Sequence, residues 1–530
     1  MKKKGFALIV SMICLTLMLF GCSNSSSSSS GKKEPEKIVK KEGKDITIAV
    51  AANFVSLDPH DSNDTLGLSA ERMMMEGLLG FDKDMKVVPV LAEDYQVNDQ
   101  ATEFTFHLKK GVKFQDGTPF NAEAVKYNID RLANPDNHLK RYSLFELVKE
   151  TQAVDEYTVK VLLKEPFGAM INNFAHPSAA MISPAALKKY GKDIARNPVG
   201  TGPFKFEEWD QSDHLKLVKN EDYWKEGYPK VDSITFKPVP ENGSRVAMLQ
   251  TGEADFAYPI PTEQVKSIDG KNGIVIENDP SIIVYYLSMN TLKKPYDDVR
   301  IRQAMNYAIN KDAFIKVVWN GLGDKPTSVL APKVAFSSEQ EPYNFDLEKA
   351  KKLMKEAGVE DGFKTTLWVS NSSTSVKSAE FLQQQLAQIN IKVEVVPMEA
   401  GTLSDKLWGP QKPEDAEVEL YYGGWSPSTG DADWGIRPLL GGQAAYPPLN
   451  YNVSYYNNEK VNQALKDALQ TADESKREAA YKDAQKLIWE DAPWVTLAVP
   501  KNLAGKKNYL DGIYLLPDGS LSINELEIKQ

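Results

Sequence analysis

The segment YYGGWSPSTGDADWG, Tyr421 to Gly435, sets aromatic rings, hydroxyls and two carboxylates, Asp431 and Asp433, in one turn-rich run. Those side chains could hold a catalytic nucleophile, wall a pocket, or turn the chain between buried strands. Gly424-Trp425-Ser426-Pro427-Ser428 begins like a nucleophile elbow, but serine stands where the second glycine is required. Pro427 also removes a backbone N–H that an oxyanion hole would use. Gly200-Thr201-Gly202-Pro203 lacks the third glycine of a dinucleotide loop and puts proline where an amide donor is needed, so it reads as a turn between strands. His60, His107, His138, His176 and His214 are scattered, without an HExxH or a close pair, and predict no metal site. The only cysteines are Cys14 and Cys22, so the chain beyond them has no disulfide, zinc thiolate or cysteine nucleophile.

What remains is recognition chemistry. Trp425 and Trp434 offer flat apolar walls, while Ser428, Thr429, Asp431 and Asp433 offer acceptors for an ammonium. In NHLKRYSLFE, Asn137 to Glu146, the planar guanidinium of Arg141 suits a carboxylate, and Tyr142 adds a hydroxyl and a ring. A solvated charge is the ordinary alternative for Arg141, and simple packing the alternative for each ring. Asn53 and Phe54, Tyr286, Ser288 and Asn290, and Arg245 are weaker candidates, for which a structural role is the first reading.

The elements that must position these groups alternate between strand and helix. DITIAVAAN reads as a strand, and TLGLSAERMMMEGLLGFD as a helix ending at Gly80. ATEFTFHLKKGVKFQDGTPF reads as a hairpin with turns at Lys110-Gly111 and Asp116-Gly117, before the Asn121-capped helix NAEAVKYNIDRLA. Asp346 to Gly358 is an amphipathic helix with a capping aspartate and a terminal glycine. A strand KTTLWVS, a helix AEFLQQQLAQI and a strand IKVEVV then form a βαβ unit. SKREAAYKDAQKLIWEDAP is a long helix stopped by Pro493, and WVTLAVP is a buried strand. The pattern predicts an α/β chain, and 530 residues exceed one core, so at least two lobes are expected.

The N-terminus predicts export. Lys2 to Lys4 precede a short apolar run, and Leu19-Phe20-Gly21-Cys22 closes it. This arrangement resembles the lipobox of bacterial lipoproteins, which implies cleavage of a signal peptide over 1–21, lipid chains on Cys22, and a position on the outer face of the cell membrane. Residues 22–44 are serine-rich and then charged, a tether; a flexible coil of that length spans roughly 25 Å. With 63 basic and 73 acidic side chains the net charge is −10, which argues against nucleic acid as a partner.

Five segments, ERMMMEGLLGFDKDMKVVPVLAEDYQV, FHLKKGVKFQDGTPFNAEAVKYNIDR, NPVGTGPFKFEEW, YYLSMNTLKKPYDDVRIRQAMNYAINK and ALQTADESKREAAYKDAQKLIWEDAPWVTL, resemble in this order the family 5 solute-binding proteins of ABC importers. The resemblance implies a two-lobe, type II, dipeptide-binding-protein-like fold with a hinge and a ligand cleft. It places lobe I at 45–285, lobe II at 286–495 and a C-terminal return at 496–530. It also implies a monomer without cofactor or catalysis that hands its solute to a permease. GWSPSTGDADW and NHLKRY look like the glutathione-binding branch, and glutathione is the expected ligand. General dipeptide or oligopeptide binding, or nickel and metallophore binding, are the alternatives. In dipeptide-binding members an aspartate three residues after the tryptophan grips the peptide amino group; Ser428 stands there, which would move that role to Asp431 or Asp433.

Overall fold

The computed structural model describes residues 41, 43–409, 412–446, 450–523 and 525–529. The leader, Cys22 and the tether through residue 40 lie outside the described residues. Twelve strands form the main sheet: β1 Asp45–Val50, β2 Phe204–Asp210, β3 His214–Lys219, β4 Ser233–Pro238, β5 Phe256–Tyr258, β6 Ile274–Pro280, β7 Val284–Met289, β8 Gly323–Asp324, β9 Phe363–Ser370, β10 Ile391–Met398, β11 Leu420–Trp425 and β12 Trp494–Lys507. Their order is β10-β9-β11-β7-β12-β5-β1-β4-β3-β2, with β6 and β8 also on β12. A second, antiparallel sheet runs Ala92–Val97, Glu103–Leu108, Thr158–Leu163, Val148–Asp155.

The expected α/β pattern is present. Strand β1 lies parallel to β4 and β5, and β9 parallel to β10 with the helix Ser373–Ala387 between them, as the βαβ reading predicted. Asn121 and Asp346 cap their helices by accepting from Ala124 N and Lys349 N. Two expectations are corrected. The helix over Thr65–Met74 stops at an extended Met75, and Leu79–Phe81 is a strand, so the chain leaves the helix well before Gly80. The hairpin within 101–120 reduces to one bridge, Lys113 to Pro119. Glu103–Leu108 pairs instead with Ala92–Val97 and with the distant Thr158–Leu163. Local turn signals were real, but Phe104 and Phe106 are buried by partners remote in sequence.

The long strand β12 joins the two lobes. Strand β6 pairs with its Lys501–Lys507 stretch and β7 with Trp494–Ala498. At the changeover Ser281 Oγ donates to Pro500 O at 2.6 Å. The chain therefore passes between the lobes along two neighbouring antiparallel strands, the arrangement a hinge requires.

Separate cores support each side: Ile46, Ile48, Leu217, Phe236 and Phe256 in the first lobe, and Leu287, Met305, Phe314, Leu382 and Val495 in the second. The core of the small sheet, with Phe104, Phe106, Phe145 and Phe174, continues into Tyr286, Ile436, Tyr481, Trp489 and Trp494 of the second lobe. This continuity means that the lobes are closed. Gly168 N donates to Leu469 O at 2.8 Å, and Lys333 pairs with Asp84 at 2.7 Å. A Cβ at Gly168 would lie 2.3 Å from Thr471 O, so only glycine allows this approach.

Candidate functional site

On the first lobe the site begins where β1 runs into the loop 51–62 and the helix Thr65–Met74. Asp64 fixes that helix by accepting from Leu66 N and Gly67 N. The same helix carries Glu71, which is fully buried, with neither carboxylate oxygen hydrogen-bonded among the described residues. Ser62 Oγ, Glu71 Oε1 and Asp64 Oδ2 lie 3.1, 3.3 and 3.5 Å from where a Cβ on Gly67 would stand, so a glycine keeps this corner open to polar atoms. Burial, and next the Asp58 charge, push the Glu71 carboxyl well above the usual carboxylate range.

Arg141 lies beside it. Its Nε donates to Ser62 O at 2.6 Å and its backbone N to His60 O at 3.3 Å. Its two Nη groups make no hydrogen bond among the described residues. Burial lowers the guanidinium pKa, and the Glu71 charge opposes that shift.

His176 lies between the helix Met170–Ala175 and the turn Pro177–Ala179. Only 1% exposed, it uses Nδ1 to accept from Ser178 N at 3.1 Å, so the ring proton sits on Nε2, which has no partner among the described residues. Burial, with Arg141 and Arg72 nearby, drives its pKa well below the ordinary value and keeps the ring neutral. The loop behind it is locked: Arg131 pairs with Asp58 at 2.6 Å and reaches His60 Nδ1 at 2.6 Å, while His60 Nε2 donates to Ala180 O at 2.9 Å.

The opposite wall is aromatic. Trp425 Nε1 donates to Trp434 O at 2.8 Å, and the Trp425 ring lies 6.0 Å from both Trp434 and Tyr451. All three rings are half-buried. Tyr286 stacks on Trp494 at 3.8 Å and 4°. Thr429 O accepts from Asn172 Nδ2 at 2.9 Å, and Asn172 O accepts from His176 N at 3.0 Å, so Asn172 joins the first lobe at His176 to the segment 425–434.

The structure brings Arg141 and half-buried Tyr142 to the first-lobe side, and Trp425 and half-buried Ser428 to the second. Asp431 and Asp433 are committed differently from the expectation. Asp431 is 1% exposed, receives Arg477 Nη2 at 2.9 Å on both oxygens, and caps the next helix through Asp433 N. Asp433 receives Arg437 at 2.7 and 2.8 Å. Each carboxylate is already matched by a guanidinium of its own lobe. Asn53 accepts from Phe54 N at 2.8 Å and donates to Gln211 O, and the Phe54 ring packs 5.3 Å from Phe236 in the core. Tyr286 is 3% exposed. Arg245 is spent on the carbonyls of Val239 and Pro259, and Asn290 on Val418 O.

Glu71, His176 and Asn172 were not singled out by sequence. Glu71 had a readable signal, since Leu68, Glu71 and Met75 share one helical face, and a carboxylate on an otherwise apolar face must be answered by something. A separate cavity of about 320 Å³ within the first lobe is lined by Arg72, Glu76, His176, Tyr223 and Trp224. There Glu76 is saturated by Thr201, Tyr223 and Trp224 at 2.7 to 2.8 Å. Among the described residues no group of three or more His, Cys, Asp or Glu could hold a metal, and no helix is long and apolar enough to cross a membrane.

Two lobes on a double-strand hinge, held together across the closure by Asn172 and Thr429, are the architecture of a solute-binding protein. The chain belongs to the bacterial extracellular solute-binding proteins, family 5, whose model (described as family 5 Middle) matches residues 86–447. It is 48% identical to the glutathione-binding protein GsiB of Pectobacterium atrosepticum over 92% of this chain and 95% of the relative. It is 46% identical to GsiB of Escherichia coli K12, over the same shares. Among solved structures it resembles the ABC transporter-associated periplasmic binding protein DppA from Helicobacter pylori in complex with the peptide STSA, at 28% identity and TM-score 0.76, covering 92% of this chain and 98% of that one. AgaA from A. tumefaciens R10 in complex with agropinic acid matches at 27% identity and TM-score 0.75, over 92% and 99%. The protein is thus the extracellular binding component of an ABC importer, not an enzyme.

Proposed function

We propose that this protein captures glutathione, or a small peptide of the same charge pattern, between its lobes and presents the closed form to its permease as a monomer tethered through lipidated Cys22. The lobes are 45–285 and 286–495, with the return 496–530 completing the first. Arg141 and Tyr142 contact the ligand from one side, Trp425 and Ser428 from the other. Asn53, Phe54, Tyr286, Asp431 and Asp433 shape and brace the walls. The ligand has greater affinity for the closed arrangement and so shifts the population about the hinge.

The observation that carries this reading is the 46 to 48% identity with glutathione-binding proteins over 92% of the chain. The cleft chemistry agrees, because glutathione carries two carboxylates and an ammonium, and groups of both signs are left unmatched on the first lobe. Calorimetry of the full-length protein in detergent tests it against glutathione, its disulfide, a mixed tripeptide, and nickel with and without histidine. Heat with glutathione alone or with its disulfide is expected. Comparable binding of varied tripeptides would replace this with general oligopeptide reception, the reading favoured by the peptide held in the Helicobacter relative. Binding that requires nickel would overturn both.

A further inference from the structure

The cavity of about 320 Å³ inside the first lobe is lined, among the described residues, by three cations, Arg72, Lys109 and Lys225, and by the single carboxylate of Glu76. Glu76 is already satisfied by neutral donors, Thr201, Tyr223 and Trp224, at 2.7 to 2.8 Å. The cations are not matched in the same way. Arg72 donates through Nη1 to Ser520 Oγ at 2.9 Å, and Asp518 is reached only beyond that hydroxyl, which donates to Asp518 Oδ1 at 2.6 Å. Lys109 Nζ donates to Ala92 O at 3.1 Å and lies 5.5 Å from the Trp224 ring centre, while Lys225 Nζ lies 4.4 Å from the Tyr228 ring centre. None of the three makes an ion pair among the described residues. The other walls are largely apolar, with Leu79, Phe81, Val88, Phe204 and Leu526, and the rings of Tyr223, Trp224 and Tyr228 join them. Trp224, Lys225, Tyr228 and Pro229 also line an open hollow of about 610 Å³, where Lys44, Lys219 and Lys230 stand with Lys225 against Glu221 and Glu226. These shared residues make the hollow a mouth for the cavity, and its excess of lysine favours the entry of an anion.

We propose that this cavity is a second ligand site, separate from the cleft between the lobes, and that it takes a small aryl carboxylate. A cavity of a few hundred Å³ with mostly apolar walls and a few charged groups is the usual form of a small-molecule site. The carboxylate accepts from the Arg72 guanidinium, whose planar fork suits that group, and Lys109 and Lys225 add positive charge to the same cavity. The ring lies among Phe81, Phe204, Trp224 and Tyr228, which offer apolar and aromatic contact. Neither Arg141 nor any residue of 425–434 lines the cavity, so the site stands whether or not glutathione is the solute held in the cleft.

Calorimetry of the full-length protein in a nonionic detergent tests the site, with indole-3-acetate as the probe. It should bind at least about tenfold more tightly than the neutral indole-3-acetamide, the difference that a charged hydrogen-bond partner makes. Acetate, which lacks the ring, should give no heat, and saturating glutathione should leave the affinity for indole-3-acetate unchanged. Arg72→Gln should weaken indole-3-acetate at least about tenfold, and Lys109→Gln about threefold, with the response to glutathione kept in both. Arg72 also holds Ser520, so thermal melting checks the fold of Arg72→Gln, and Lys109→Gln, at a half-buried position, decides if that variant does not fold. No heat with indole-3-acetate, equal affinity for its amide, displacement by glutathione, or unchanged affinity in every folded variant overturns the inference. Binding of indole-3-acetate, lost in the variants, by a protein that gives no heat with glutathione would uphold the second site and reject only the glutathione reading.

Discussion

In the second lobe, Asp431 and Asp433 each meet an arginine, Arg477 at 2.9 Å and Arg437 at 2.7 Å. In the first lobe, Glu71 has Arg141 near it without a hydrogen bond between them, and among the described residues the Arg141 side chain bonds only Ser62 O, through Nε. The same residue types therefore do different work on the two sides of the cleft. Where carboxylate and guanidinium saturate each other, they brace a turn and a helix N-terminus. Where they are held close but apart, burial penalises both charges.

The largest effect expected from breaking this contrast is on stability. Asp431→Ala leaves Arg477 buried without its anion and should cost about 3–5 kcal/mol, read as a shift in the urea midpoint with the slope unchanged. A loss within error would mean that the second-lobe pairs are not structural. Arg141→Ala should do the reverse, weakening glutathione at least about tenfold while shifting the urea midpoint less than Asp431→Ala does, because it gives up one bond to Ser62 O and a charge contact with Glu71 rather than a bidentate buried pair. Unchanged affinity would remove Arg141 from the site.

The contrast also predicts a pH dependence of the first lobe alone. The Glu71 carboxyl is raised by burial and by Asp58 and Asp64, with Arg141 and the Ser62 hydroxyl opposing. Without ligand, a raised carboxyl contributes stability below the ordinary glutamate value and loses it as pH rises through the raised value. Urea midpoints measured across that range should fall as pH rises, and Glu71→Gln should flatten the profile. The smallest effect belongs to the closure itself. Asn172→Ala removes one interlobe hydrogen bond, worth about 1 kcal/mol, and should weaken glutathione several-fold in the same calorimetric titration.

Much of the scaffold was legible because it follows from local rules. Caps at Asn121 and Asp346, the βαβ unit around Ser373–Ala387, and the stop at Pro493 each depend on residues within a few positions of one another. The hairpin expectation at 101–120 failed for the complementary reason. Turn glycines state that the chain bends, but not which strand receives it, and Thr158–Leu163 offered the apolar surface that the local return did not. In the candidate site, the Arg141 side chain keeps only its Nε bond to Ser62 O among the described residues, and its part in binding is a matter for the Arg141→Ala titration. Residue type misled at Asp431 and Asp433, whose partners Arg477 and Arg437 decide their chemistry, and Arg477 lies 46 positions from Asp431.

The amino-acid sequence by itself determined the class of fold and the absence of thiol chemistry beyond Cys22, because periodicity, capping and composition are properties of neighbours along the chain. Tertiary structure decided which charges are matched and which are not. A carboxylate becomes a brace or a ligand contact according to whether a guanidinium from elsewhere in the chain reaches its oxygens, and that reach is fixed only when the elements have packed.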